Sequence, residues 1–282
     1  MINLIIAIIL LALTPAIGGL IAGADRRITA RLQSRFGPPI MQPFYDVLKL
    51  IGKAPMVVNS WQVLCAYIYL VSSVLACFLF FLQGDLLLLF FVMTIGAVFQ
   101  VVGAMSMQSP YSQVGAQREL LQMLAYEPLI ILVFVGISMA AGSFVISDVY
   151  ALENPLLIDM PFLYLALGTA LTIKLRKSPF DLAGSHHGHQ ELVRGVQTEY
   201  SGPHLALLEI GHWFDVVLIL GLCSLFWHTS IIGMVVLLVV TYLVEIIIDN
   251  TCARMTWPWM LRNVLSVGVA MSVLNILWLY VC

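Results

Sequence analysis

The sequence predicts an all-α, polytopic integral membrane protein with about eight transmembrane helices and both termini outside. Composition gives the first reason: of 282 residues, 61% are hydrophobic and only 10% are charged. An ordinary soluble domain is about 45–50% apolar and about 25% charged. Such a chain is not a nucleic-acid binder, a disordered protein or a disulfide scaffold. Apolar run length gives the second reason. Runs at about 1–23, 61–82, 86–107, 119–142, 160–174, 204–227, 229–249 and 262–281 approach the roughly 20 residues that cross a bilayer. They leave little chain for a separate soluble domain, so residues 1–282 read as one membrane domain.

Placement of the 13 basic residues is the third reason. Arg26, Arg27, Arg31, Arg35, Lys49 and Lys53 fall in the first loop, and Arg118 at the third. Lys174, Arg176, Lys177 and Arg194 fall in the fifth, and Arg254 and Arg262 at the seventh. Even-numbered loops and both termini hold none; the fourth loop instead carries Asp148, Glu153 and Asp159. Basic residues stay on the cytoplasmic side during insertion. Odd loops are therefore expected inside. The N-terminal run lacks the positive region, before Asp25, that a signal peptide would carry, and reads as a retained first helix.

The five cysteines include no C-x-x-C pair. A cluster usually takes four closely spaced thiolates, so electron carriers are expected on other chains. Six acids fall in or at the ends of spans: Glu119, Glu127, Glu209, Asp215, Glu245 and Asp249. A charge at mid-membrane costs about 2.5–3.5 kcal/mol on insertion scales and marks an ion path or wet cavity. Glu245 and Asp249 are four apart and share a helix face; Glu209 and His212 are three apart. Neither Glu127 nor Glu209 has a lysine or arginine within four positions. A carboxyl in that setting exchanges its proton near neutrality.

Two loops hold the remaining chemistry. In 24–60, Arg27, Arg31 and Arg35 recur every fourth residue, the cationic face of a helix ended by Gly37-Pro38-Pro39. A second amphipathic stretch follows from Pro43 to Lys53, with Asp46 and Lys49 on its polar side. The loop reads either as a headgroup-binding surface or as a docking surface for a soluble partner. In 175–203 lie Asp181, His186, His187, His189, Glu191 and Glu199. Histidine and carboxylate suit several metals, but the spacing matches no defined zinc pattern, and a titratable loop at the bilayer boundary is the preferred reading.

Four ordered motifs carry a resemblance: Arg27-x3-Arg31-x-Gln33-x-Arg35-x-Gly37-Pro38; Gln42-Pro43-x2-Asp46-x2-Lys49-Leu50-x2-Lys53; Arg118-x3-Gln122-x3-Tyr126-Glu127; and Ser178-Pro179-Phe180-Asp181-Leu182 through Glu191-Leu192-Val193 to Glu199-Tyr200-Ser201. They resemble the membrane subunit shared by respiratory complex I, where it forms the quinone chamber, and the energy-converting membrane-bound nickel–iron hydrogenases. His187 and His189 stand where complex I subunits carry acids, and Ala54 where they often carry another. The loop is therefore similar to the hydrogenase branch, Ech-type hydrogenase and formate hydrogenlyase.

The resemblance implies a non-catalytic subunit, in a prokaryotic cell membrane, that couples ferredoxin-dependent hydrogen chemistry to proton or sodium movement. It implies no cofactor in this chain, with the nickel–iron centre and iron–sulfur clusters on partner subunits. The partners implied are hydrogenase large and small subunits, a ferredoxin-like iron–sulfur subunit and an antiporter-like membrane subunit. Expected ion-path residues are Glu127, Asp181, Glu191, Glu199, Glu209, Glu245 and Asp249. Arg27, Arg31, Arg35, Asp46, Lys49, His186, His187 and His189 are expected to dock the soluble module. The rival readings are a complex I quinone-chamber subunit, a stand-alone secondary transporter, and a passive anchor.

The orientation has a direct check. Impermeant thiol labelling of single-cysteine variants in intact cells is expected to reach Cys282 and to spare Cys252 in the basic seventh loop; the opposite pattern inverts the topology.

Overall fold

The computed structural model describes residues 2–57, 59–180 and 194–281. Among them there is no strand, only an isolated bridge between Asp85 and Val145. Seven helices are long and apolar enough to cross a bilayer, and one shorter apolar helix lies at 161–174.

The first helix, α1 (Ile2–Leu32), continues well past the expected end near residue 23. Nothing from Asp25 to Leu32 breaks a helix, and arginine and leucine favour one. Arg27 and Arg31 therefore ride on the end of α1 rather than on a helix of their own, and Arg35 lies beyond it. Ser34 stops the helix in the left-handed region (φ 56°). The Arg35 N–H donates to the Ala30 carbonyl at 2.7 Å and the Ser34 N–H to the Arg31 carbonyl at 3.0 Å, which satisfies two orphan carbonyls. The amphipathic stretch forms α2 (Gln42–Ile51). Its Val47 packs with Ala206 and Trp213, and Phe44 meets Trp213 edge-on at 5.2 Å. Leu48 and Ile51 of the same helix are exposed.

A tight hairpin joins α3 (Ser60–Phe81) and α4 (Leu86–Met105). Asp85 accepts from the N–H groups of Leu87 and Leu88 at 2.7 and 3.2 Å, which holds the α4 start. The two helices approach so closely that a Cβ on Gly96 would lie 2.3 Å from Ser72 Oγ, the small-residue contact that packs helices in lipid. Next comes α5 (Pro110–Ala141), beginning nine residues earlier than the apolar run. Pro110 suits a first turn, so Arg118, expected at the third loop, lies within the helix. Gly142 ends α5 at φ 76°.

Two short helices follow, α6 (Ile146–Tyr150) and α7 (Leu156–Asp159). Backbone bonds from Leu86 to Phe144 (2.8 Å) and from Ile146 to Gly84 (3.0 Å) tie this segment to the α3–α4 turn. Then α8 (Pro161–Lys174) has only 14 residues, about 21 Å at 1.5 Å each, short of the ~30 Å hydrocarbon core. Its first turn consequently needs a protein partner in place of water. The remaining helices are α9 (Gly202–Ser224), α10 (Ile231–Thr251), α11 (Trp257–Asn263) and α12 (Val269–Val281), the last two joined by a π turn at Val264–Gly268. The core centres on α3, α4, α5, α8 and α9, around Tyr126, Leu129, Phe134, Leu163 and Leu218.

Asn275 of α12, 1% exposed, caps α8 from outside. Its Oδ1 accepts from Phe162 N–H and Leu163 N–H, both at 3.0 Å, and its Nδ2 donates to the Asp159 carbonyl at 3.0 Å. Buried amides without such a partner cost about 1–3 kcal/mol. Asn275→Val is expected to lower the unfolding midpoint of the detergent-solubilised protein clearly, and Leu274→Val, on the exposed neighbour, hardly at all.

Candidate functional site

The site is organised by the end of α8. Lys174 is its last residue, and Arg176 follows in the left-handed region at φ 54°. For a non-glycine residue that conformation costs about 1–2 kcal/mol. Arg176 N–H donates to the Ile173 carbonyl at 3.0 Å and Lys177 N–H to the Thr172 carbonyl at 3.2 Å, so the turn repeats the one that ends α1. The turn sends neighbouring cations to different places. Lys177, 4% exposed, pairs with Asp25 of α1 at 2.9 Å and lies 4.7 Å from the centre of the Tyr242 ring. Arg176 interacts with Glu119, Tyr69, Glu209 and Asp215. Lys174 sits 4.8 Å from the centre of the Tyr126 ring and interacts with Glu127. Burial works against the Arg176 charge, but these acids outweigh it and hold the pKa above the ordinary arginine value. It is a permanent cation.

The chain leaving the turn is pinned on both sides. Ser178 N–H donates to Asp249 Oδ1 at 2.9 Å, and Ser178 Oγ donates to the Cys252 carbonyl at 2.8 Å. Gln122 Nε2 donates to the Phe180 carbonyl, and Met255 N–H to the Pro179 carbonyl at 2.9 Å.

Two cavities flank the turn. The larger, about 510 Å³, is open to the surface and is lined by Asp25, Arg26, Arg35, Arg176, Lys177, Arg194, Glu209, His212, Tyr242 and Asp249, with Phe36 and Trp213 as aromatic walls. A neighbouring cleft of about 280 Å³ shares Arg26, Asp46, Arg194, Glu209 and Trp213 with it and adds Lys49 and Lys53. The smaller cavity, about 20 Å³, lies between Tyr69, Gln100, Glu119, Tyr126, Lys174, Arg176, His212 and Asp215. There Tyr69 Oη donates to Asp215 Oδ2 at 2.7 Å, while Gln100 Nε2 and Glu119 Oε2 have no protein partner. A polar void of that size holds about one water molecule.

The expected path residues divide as follows. Glu209 and Asp249 line the large cavity. Glu127, half-buried on α5, stands beside Tyr126 and near Lys174. Glu245, 3% exposed, is within electrostatic reach of Lys177 and Asp249, with Oε2 unpartnered. Glu199 is half-buried after a 3-10 turn at Gly195–Gln197. The adjacent Tyr200 phenol, raised above its ordinary pKa by burial, donates to the Gln62 carbonyl at 3.3 Å. Asp181, His186, His187, His189 and Glu191 lie outside the described residues.

Among the expected docking residues, Arg27, Arg31, Arg35 and Lys49 are exposed. Arg31 lies 5.4 Å from the centre of the Phe36 ring, Arg35 donates to Gln33, and Asp46 pairs with Arg26 at 2.8 Å. Among the described residues no group of three or more His, Cys, Asp or Glu is placed to hold a metal ion.

The expectation that Glu127 and Glu209 stand apart from cations holds only along the sequence. In space Lys174 and Arg176 reach them from the end of α8. Sequence reasoning also missed the roles of Asp25, Tyr69, Gln100, Lys177 and His212. The usable signal was Lys174-x-Arg176-Lys177 at the end of an apolar run: three bases that close to a bilayer need acids.

An all-α bundle of membrane-crossing helices with a polar interior at one end defines a multi-pass membrane protein with a buried acid–base site. The NADH dehydrogenase family profile matches residues 4–280, and the chain belongs to that family. It is 34% identical to hydrogenase-4 component C of Escherichia coli over 223 residues, 73% of this chain and 68% of that one. It is 31% identical to formate hydrogenlyase subunit 4 of E. coli over 225 residues, 74% and 71% of the two chains. With an NADH-quinone oxidoreductase subunit of Carboxydothermus hydrogenoformans it shares 28% identity over 69% of this chain and 61% of that one. Its fold matches a chain of a membrane-bound sulfane sulfur reductase, an archaeal respiratory membrane complex, with a TM-score of 0.88 at 22% identity, covering 99% of this chain and all of that one.

The Lys177–Asp25 pair is the part of this site easiest to break. Removing one partner of a buried pair costs about 3–5 kcal/mol, mostly because the other charge is stranded. Lys177→Met is expected to destabilise the protein toward that range, and the double variant Lys177→Met/Asp25→Asn to recover more than half of the loss, measured by thermal unfolding in detergent.

Proposed function

We propose that this chain is the membrane-anchoring and ion-path subunit of a multisubunit, ferredoxin-dependent nickel–iron hydrogenase. The single observation that carries the reading is the set of acids and cations, buried at Glu119 and half-buried at the others, that begins at an open cavity and continues into the helix bundle: Glu209, Arg176, Asp215, Glu119, Lys174 and Glu127. A chain that only anchored a partner would not place charges there, since each is expensive in a membrane unless it is used or paired.

The hydrogenase branch is supported by the two E. coli relatives, both named as hydrogenase or hydrogenlyase components, and by the histidines at 187 and 189, where the resemblance to complex I subunits calls for acids. In this reading the nickel–iron centre and iron–sulfur clusters belong to partner subunits: the hydrogenase large and small subunits and a ferredoxin-like protein. The exposed ends of α1 and α2, with Arg27, Arg31, Arg35 and Lys49, receive that module together with His186, His187 and His189. An antiporter-like membrane subunit continues the path. Asp181, Glu191 and Glu199 belong to its outer end, and Glu245 and Asp249 form a branch along α10.

Two experiments bear on this reading. Mass identification of copurifying subunits is expected to find a nickel–iron large subunit; a set of NADH dehydrogenase subunits in its place moves the chain to the quinone branch. Glu127→Gln and Glu199→Gln are expected to assemble and to evolve hydrogen without building an ion gradient in vesicles. Normal gradients in both variants remove these residues from the path.

A further inference from the structure

The cleft of about 280 Å³ beside α2 gathers bases that the ion path does not use. Four of them, Arg26, Lys49, Lys53 and Arg194, line it against two acids, Asp46 and Glu209. Both acids are engaged: Asp46 pairs with Arg26 at 2.8 Å, and Glu209 interacts with Arg176. Lys49, Lys53 and Arg194 form no ion pair among the described residues. The cleft therefore carries uncompensated positive charge, and its complement is an anion.

Depth in the membrane says which anion. The Phe44 ring of α2 packs on Gly19 of α1 where a Cβ would collide with it, and Trp213 of α9 packs in the same way on Gly18. Val47 packs with Ala206 and Trp213. Gly18 and Gly19 belong to the apolar run of α1, ahead of its first charge at Asp25. α2 thus lies against the spans at the edge of the hydrocarbon and not out in the aqueous phase. At that level Tyr45, Leu48 and Ile51, three apart along one side of α2, are exposed. Asp46 and Lys49, with Lys53 just past the helix end, follow another side and line the cleft. Arg26 stands seven residues beyond Gly19, about 10 Å further along α1. A helix with an exposed apolar side next to a basic one lies in the membrane interface, with its bases at the headgroup level. Bases held there attract anionic lipids.

We propose that this cleft binds the headgroup of an anionic phospholipid. Lys53 and Arg194, to which no other role falls, hold the phosphate. The acyl chains run along the exposed side of α2, past Tyr45 and Leu48. Lys49 lines the same cleft and remains part of the docking surface for the soluble module. An acidic segment of a soluble partner would satisfy the charges equally, but it would not call for an apolar flank at hydrocarbon depth. The inference is independent of the hydrogenase reading, since a lipid at this edge serves any complex that the chain anchors.

The test uses the intact complex, delipidated in detergent and titrated with phosphatidylglycerol or phosphatidylcholine, with bound lipid counted by native mass spectrometry. The wild-type complex is expected to prefer phosphatidylglycerol. Each base at the membrane surface is worth about fivefold in affinity for anionic lipid. Lys53→Gln/Arg194→Gln is therefore expected to bind phosphatidylglycerol roughly thirtyfold more weakly and phosphatidylcholine unchanged, while the charge-preserving Lys53→Arg/Arg194→Lys keeps the preference. Equal binding of the two lipids by the wild type overturns the proposal, and so does an undiminished preference in the double Gln variant. Millimolar inorganic phosphate, added in competition, is expected to leave the lipid bound; displacement makes the cleft a site for free anions and overturns the lipid assignment. A double Gln variant that keeps its lipid but sheds soluble subunits makes the cleft a protein interface and overturns it too. Where the double variant does not assemble, Lys53→Gln alone, at an exposed position, is expected to lose about fivefold, and no loss overturns the proposal equally. The identity of the copurifying subunits tests the hydrogenase reading separately, so either reading can fail alone.

Discussion

The polar interior depends on one backbone feature, the left-handed turn that closes α8. Acids from α1, α5 and α9 converge at one end of the bundle, and without cations they would be too costly to bury there. Bases on a regular helix would serve only one side. Because Arg176 turns at φ 54°, consecutive cations serve separate groups: Lys177 joins α1 and α10, while Arg176 joins α3, α5 and α9. The conformational cost at one residue is small beside the charges it neutralises. The short length of α8 belongs to the same arrangement. A helix that stops inside the protein delivers its charged end to the interior, and Asn275 then supplies at the other end the bonding that water would provide to an exposed helix start.

Helix number, helix order and the family were legible in the sequence because run length and motif order are both local properties. Helix ends were less so. Apolar runs report where the hydrocarbon stops, whereas the backbone stops where its carbonyls find new partners, at Ser34 for α1 and Gly142 for α5. The acids themselves were also legible, since Glu127, Glu209 and Glu245 stand out against apolar neighbours. Their partners were not. Lys174 is 47 residues from Glu127, and nothing in either stretch announces the other. His212 was noticed only as a neighbour of Glu209, because its place in the lining of both cavities is a property of packed helices and not of spacing.

The depth of the large cavity changes where the membrane voltage is felt. On α9 its lining runs from Glu209 to Val216, about 10 Å along the helix at 1.5 Å per residue. A volume near 510 Å³ has room for many waters, each taking about 30 Å³, and water at that depth carries the potential of the adjoining solution inward. The potential then falls across the shorter apolar remainder of the bundle. Moving one elementary charge through the whole drop is worth about 2.3 kcal/mol per 100 mV, and that work is done over the shorter remainder. The bundle thus behaves as a thinned dielectric with a steep field at its centre.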